Sequence, residues 1–81
     1  MKRSMYAVRD RVADFFSPPF LARNDGEAMR MFDASFRQAP PDAHLNRDDL
    51  QLFAVGEFDD LSGEIVPSLP SAVVASRGDA L

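Results

Sequence analysis

The stretch from Leu50 to Glu64, LQLFAVGEFDDLSGE, constrains the fold more than any other, because it is satisfied most simply by a long strand, a tight turn and a returning strand. Leu50, Leu52, Ala54 and Phe58 fall on one face at period two, with Phe53 and Val55 on the other. The strand is therefore expected inside a sheet and largely covered on both sides. Asp59 suits a turn in which its own side chain bonds the backbone just ahead, and Gly63 can supply the positive φ that closes a short loop. Glu64, Ile65 and Val66 form the return. Gly56, inside the long strand, predicts a bulge or a close backbone approach, since glycine otherwise weakens a strand interior.

Upstream, Ser4 to Asp10 reads as a first strand through Met5, Tyr6 and Val8. Asp10 to Ala13 reads as a turn. The next stretch, Asp14 to Ala22, looks extended, but Pro18 and Pro19 remove two ladder donors, so it must be an edge strand or one broken in its middle. Asn24-Asp25-Gly26-Glu27 then opens a helix, with Asn24 as N-cap and Glu27 placed to reach back in a capping box. Ala28, Met29, Phe32 and Phe36 make its apolar stripe, Phe32 its anchor, and Pro40-Pro41 ends it after about Gln38. A polar connection follows, with a short helical turn around Asn46 to Asp49. After Val66 the prolines 67 and 70 break the pattern, and Leu69, Val73 and Val74 are candidates to dock on the domain.

Two hairpins around one helix give a ββαββ order. The economical architecture is a small two-layer α+β domain, a mainly antiparallel sheet with the helix on one face. Residues 1–81 read as one domain with residues 1–3 and 76–81 frayed. A chain of 81 residues sits near the size at which one core barely suffices, so association with a partner or a second copy is expected.

The net charge of −4 conceals an asymmetry. Through Gln38 there are seven basic residues against five acidic; beyond it, two against eight. Cysteine is absent, which excludes disulfides, thiolate metal sites and a cysteine nucleophile. No segment approaches the roughly 18 to 20 apolar residues of a membrane span, and no signal-peptide pattern opens the chain, so a soluble intracellular protein without membrane contact is expected. His44 stands alone in a loop without a nucleophile motif. Glu57, Asp59, Asp60 and Glu64 lack the ordered oxygen ladder of a calcium loop and read as a solvated turn. Neither a phosphate loop nor zinc spacing occurs. The chain is expected to be no enzyme and to carry no metal or cofactor. Pro67-Ser68-Leu69-Pro70 spells a minimal PxxP and Arg77-Gly78-Asp79 an adhesion-like tripeptide, both too short to carry weight.

Longer stretches say more. Tyr6-Ala7-Val8-Arg9-Asp10, Pro19-Phe20-Leu21-Ala22-Arg23-Asn24-Asp25-Gly26-Glu27-Ala28-Met29-Arg30-Met31-Phe32, and the run from Asp48 to Asp60 with Gly63 keep an order and spacing over roughly Tyr6 to Val66. In these the chain resembles the small nonstructural protein of gokushoviruses, single-stranded DNA bacteriophages of the Microviridae. Members often carry a His-Pro-Glu-Asp-aromatic run before the long strand, where this chain has Asn46-Arg47-Asp48-Asp49-Leu50. The resemblance implies a nonenzymatic helper in the host bacterial cytoplasm, acting in single-stranded DNA synthesis and binding DNA. Two roles follow. In the first, Lys2, Arg3, Arg9, Arg11 and Arg23 contact phosphates while Tyr6 and an exposed phenylalanine stack on unpaired bases. In the second, the protein is an adaptor that binds phage or host replication proteins through its sheet edge or acidic hairpin. Arginines gathered on one face would favour DNA; scattered arginines would favour the adaptor.

Overall fold

The computed structural model describes residues 1–37 and 47–73. Its elements run β1 (Lys2–Asp10), β2 (Phe15–Phe16), β3 (Phe20–Ala22), α1 (Asp25–Arg37), a 3-10 turn (Arg47–Asp49), β4 (Leu50–Asp59) and β5 (Ile65–Ala72). The fold is α+β. β1 and β4 are the middle strands of one antiparallel sheet, β5 lies beyond β4, and β2 and β3 share the edge beyond β1.

That shared edge is the broken strand expected from Pro18 and Pro19. Phe15 and Phe16 pair with Asp10 and Arg9, and Phe20 to Ala22 pair with Tyr6 to Ser4. In the gap the Val8 N–H donates to Ser17 Oγ (2.9 Å), and Ser17 N–H donates to the Val8 carbonyl (2.7 Å). A serine hydroxyl thus takes the place of a ladder carbonyl where the chain bends away, and no buried backbone donor is stranded.

Both hairpins close with the same device. Asp10 Oδ1 accepts from the N–H groups of Val12 and Ala13, and Asp59 Oδ1 from that of Leu61. Four residues past each aspartate, Asp14 (φ 66°) and Gly63 (φ 81°) take the left-handed conformation and return their N–H to the aspartate carbonyl at 2.7 Å. Glycine adopts this conformation freely, and aspartate is among the few other residues that tolerate it.

Helix α1 begins as its capping residues dictate. Glu27 N–H donates to Asn24 Oδ1 (2.8 Å), and Ala28 N–H to the Asn24 carbonyl (3.0 Å). The Glu27 carboxylate reaches one residue further back than a capping box requires and takes the Arg23 N–H (2.8 Å). Ala28 and Phe32 are buried and Met29 packs partly against them; the side chain of Phe36 lies outside the described residues. They meet Tyr6, Val8, Phe20, Ala22, Leu50, Leu52, Ala54 and Val73, which form the core between helix and sheet.

The sheet corrects four expectations. Phe58 does not share the face of Leu50, Leu52 and Ala54. Those three pair with Asp10, Val8 and Tyr6, whereas Phe58 pairs with Arg3, because one extra residue at Val55 shifts the β1–β4 register between Met5 and Tyr6 and turns the rest of β4 over. Gly56 marks this bulge: a Cβ there would sit 2.6 Å from the Val66 carbonyl oxygen and 3.2 Å from Pro67 Cα. The second correction concerns the degree of cover: among the described residues no helix packs on the far face of β4, where Phe53 is half-buried and not fully covered. Third, Lys2 and Arg3 are not frayed but pair with Asp59 and Phe58. Finally, β5 continues through Pro67 and Pro70 to Ala72 as an edge strand, and of its candidate docking residues Val73 is buried while Leu69 is 89% exposed. Val74, the fraying at residues 76–81, the proline stop at 40–41, Gln38 and His44 all lie outside the described residues.

Candidate nucleic-acid interface on the open sheet face

Alternation along β1 sorts the candidate residues. Tyr6 and Val8 point to the helix, so Arg3, Met5, Ala7 and Arg9 point to the opposite face. Cross-strand pairing brings Phe16 beside Arg9, Phe53 beside Ala7, Leu21 beside Met5 and Phe58 beside Arg3. Phe16 and Phe53 meet edge to face, ring centroids 5.5 Å apart at 80°, and the Arg9 guanidinium lies 5.5 Å from the Phe16 ring centre. Arg3 and Arg9 are six residues apart on one strand, roughly 20 Å at about 3.3 Å per residue. The open face is thus an aromatic stripe with a guanidinium near each end.

The six residues singled out from the sequence do not converge. Only Arg3 and Arg9 share this face. Arg11 sits in the first turn, where its N–H donates to the Asp49 carbonyl (2.8 Å) and its guanidinium to that of Asp48, fastening the 3-10 turn that leads into β4. Arg23 grips Glu27 at the start of α1, with Nε at 3.0 Å from Oε2, and Lys2 opposes Asp59 near the acidic hairpin.

Tyr6 is withdrawn altogether. It is 1% exposed, packs against Phe20 with ring centroids 6.0 Å apart, and donates its hydroxyl to Asp25 Oδ1 (2.7 Å). Burial, reinforced by that bond to a carboxylate, pushes its phenol up to about 12. A ring held this way cannot stack on a base. The stacking candidates that the structure offers are Phe16, 38% exposed, and the half-buried Phe53 and Phe58. Parity could have found the first two, since Phe16 and Arg9 must be read together across the first turn and Phe53 alternates away from Leu52. Phe58 was out of reach without the bulge.

Both guanidiniums already face carboxylates. Arg9 bonds Asp14, and Arg3 Nε donates to Asp60 Oδ2 (3.2 Å). Asp60 also accepts from the Met1 amino group (2.8 Å), and these hydrogen bonds hold its carboxyl below the usual range while raising the amine. The backbone N–H of Leu61 depresses Asp59 likewise. Exposed pairs of this kind are weak, typically under about 1 kcal/mol, so a phosphate oxygen can replace the carboxylate at small cost. Among the described residues, no three His, Cys, Asp or Glu side chains gather into a metal-holding group, and no helix is long and apolar enough to cross a membrane.

Comparison with known proteins places the chain in a lineage. Residues 3–80 match the model of the phage ORF5 protein family, and the chain belongs to that family. No curated protein and no solved structure matches it.

Proposed function

We propose that this phage protein is a nonenzymatic helper that binds single-stranded DNA without regard to sequence, through the open face of its sheet. The scatter of Lys2, Arg11 and Arg23 favours the adaptor by the arginine criterion, and one observation carries the DNA reading against it: Arg9, Phe16 and Phe53 are packed in series on a sheet face that no helix covers among the described residues, with Phe58 and Arg3 further along it. A single strand exposes base faces that a phenylalanine can stack on, and a guanidinium beside the ring reaches the flanking phosphate. The finer lineage is that of the gokushoviruses within the Microviridae, supported by the stretches around Tyr6, Pro19 and Asp48. On this reading the protein acts in the host bacterial cytoplasm during single-stranded DNA synthesis.

Two phosphate contacts at a slope near −0.7 each give an expected salt slope of about −1.4, and hence weak binding by a monomer. The test is a fluorescence-anisotropy titration with a short pyrimidine-rich single strand and its duplex, at low and moderate salt. The single strand should bind more tightly and lose affinity with salt. Combining Arg3→Glu with Arg9→Glu should abolish binding. Removing the Phe16 ring should weaken it by about 1 to 3 kcal/mol, the usual worth of one stacked base. No binding at low salt, or binding indifferent to the charge reversal, would leave the adaptor for phage or host replication proteins as the better reading.

A further inference from the structure

We propose that the protein assembles head to tail with further copies of itself, Leu69 of one copy entering the cleft between helix and broken edge of the next. Among the described residues, the cleft, about 250 Å³, is lined by Val8, Ser17, Phe20, Met31, Phe32 and Ser35, none of them charged. It opens where Pro18 and Pro19 carry the edge away from β1. A cavity of about 150 Å³ already admits benzene, so this one has ample room for a leucine side chain.

The complementary feature lies on the opposite edge of the sheet. Between the pairs Ala54–Ser71 and Gly56–Pro67, one residue of β4 faces three of β5, so Ser68-Leu69-Pro70 is thrown out of the ladder. Leu69 is 89% exposed, and Ile65 at 58% and Val66 at 49% lie earlier on the same strand. Ile65 to Ala72 contains no charged residue. A chain of net charge −4 repels its copies wherever acidic residues meet, and the described lining of the cleft and β5 are uncharged surfaces on which that repulsion is least. Addition of a strand to β5 is the obvious competitor, but Pro67 and Pro70 have no N–H to donate to one. Insertion of a side chain needs no such donors.

Because knob and cleft sit on opposite edges, the contact is heterologous and propagates as a ring or an open row. In such an assembly each copy would contribute its own open sheet face, but the self-association requires no DNA and is tested without it. Sedimentation velocity on the whole chain over a wide concentration series should show species larger than a dimer. Leu69→Glu and Met31→Glu change exposed positions, so each variant should keep the parent circular dichroism. Each alone should be monomeric. Their equimolar mixture should form a dimer and stop there, since one variant keeps the cleft and the other the knob. A monomeric parent at the highest concentration overturns the proposal, as does a mixture that stays monomeric. So does a Met31→Glu variant that assembles like the parent, which would mean that β5 docks on something other than the cleft.

Discussion

The two faces of this sheet are cut from the same strands, residue by residue in alternation, yet they carry different kinds of side chain. The face under α1 holds Tyr6, Ala22 and Leu52, each no more than 2% exposed, locked against Ala28 and Phe32. The opposite face holds Arg3, Arg9, Phe16, Phe53 and Phe58, partly exposed around a buried Ala7, with ring contacts joining Arg9, Phe16 and Phe53 and a surface ion pair at each arginine. A buried phenylalanine contributes its full transfer and packing energy to folding. One at a half-open surface leaves part of that energy for a ligand. The difference ties stability to the first face, and the proposed function puts recognition on the second.

Truncating one ring on each face should break or confirm this assignment. Phe32→Ala should cost about 3 to 5 kcal/mol, enough to leave so small a domain largely unfolded at room temperature. Phe16→Ala should cost about 1 to 2 kcal/mol, from its partial burial and its contacts with Phe53 and Arg9. Urea midpoints measure both. Equal losses would mean that the open face is a second core.

Next in size is Gly56→Ala. The added Cβ would meet backbone atoms of Val66 and Pro67, which cannot rotate aside, so β5 must move. A loss of about 1 to 3 kcal/mol is expected, as for overpacking in general. Amide exchange should accelerate at Ile65 and Val66 while the helix side keeps its protection. Uniform acceleration would show that the bulge supports both faces alike.

What could be read in advance follows the same division. The helix, its Asn24 cap, both turns and the broken edge strand were legible because each rests on a local rule: a capping side chain, a positive φ, a proline without a donor. The faces were legible only as far as parity holds. It holds through Ala54, and Val55 then inserts one residue, so parity alone sends Phe58 to the wrong side although Gly56 marks the place. The chemistry of Tyr6 and its basic neighbours point to the nucleic-acid site. Its even position with Val8 put it under the helix, a pairing visible only once Asp25 is known to lie above it. The expected clustering of five basic residues failed because Arg11 is spent on the carbonyl of Asp48, far away in sequence, and Arg23 on Glu27 at the start of the helix.

A smaller change probes the buried side alone. Tyr6→Phe removes the bond to Asp25 and should cost about 1 kcal/mol. In the parent the folded phenol ionises near 12 instead of 10, so folding favours the protonated form. That contribution is complete below about pH 10 and disappears as pH rises toward 12. The parent should therefore lose stability over this window in thermal melts, and Tyr6→Phe should be flatter across it. Equal slopes would place the alkaline sensitivity elsewhere.

The least costly change tests the open side. Asp14 is 76% exposed and faces Arg9, and asparagine tolerates the same positive φ, so Asp14→Asn should alter stability by no more than about 0.5 kcal/mol. It should do more to binding. In the parent a phosphate must displace the Asp14 carboxylate and then sit beside it, whereas in the variant Arg9 is released and one negative charge is gone from the rim. Affinity for single-stranded DNA should rise at low salt, and the advantage should shrink as salt screens the repulsion. A variant that binds no better than the parent, at unchanged stability, would mean that Arg9 serves the turn and that recognition has to be sought off this face.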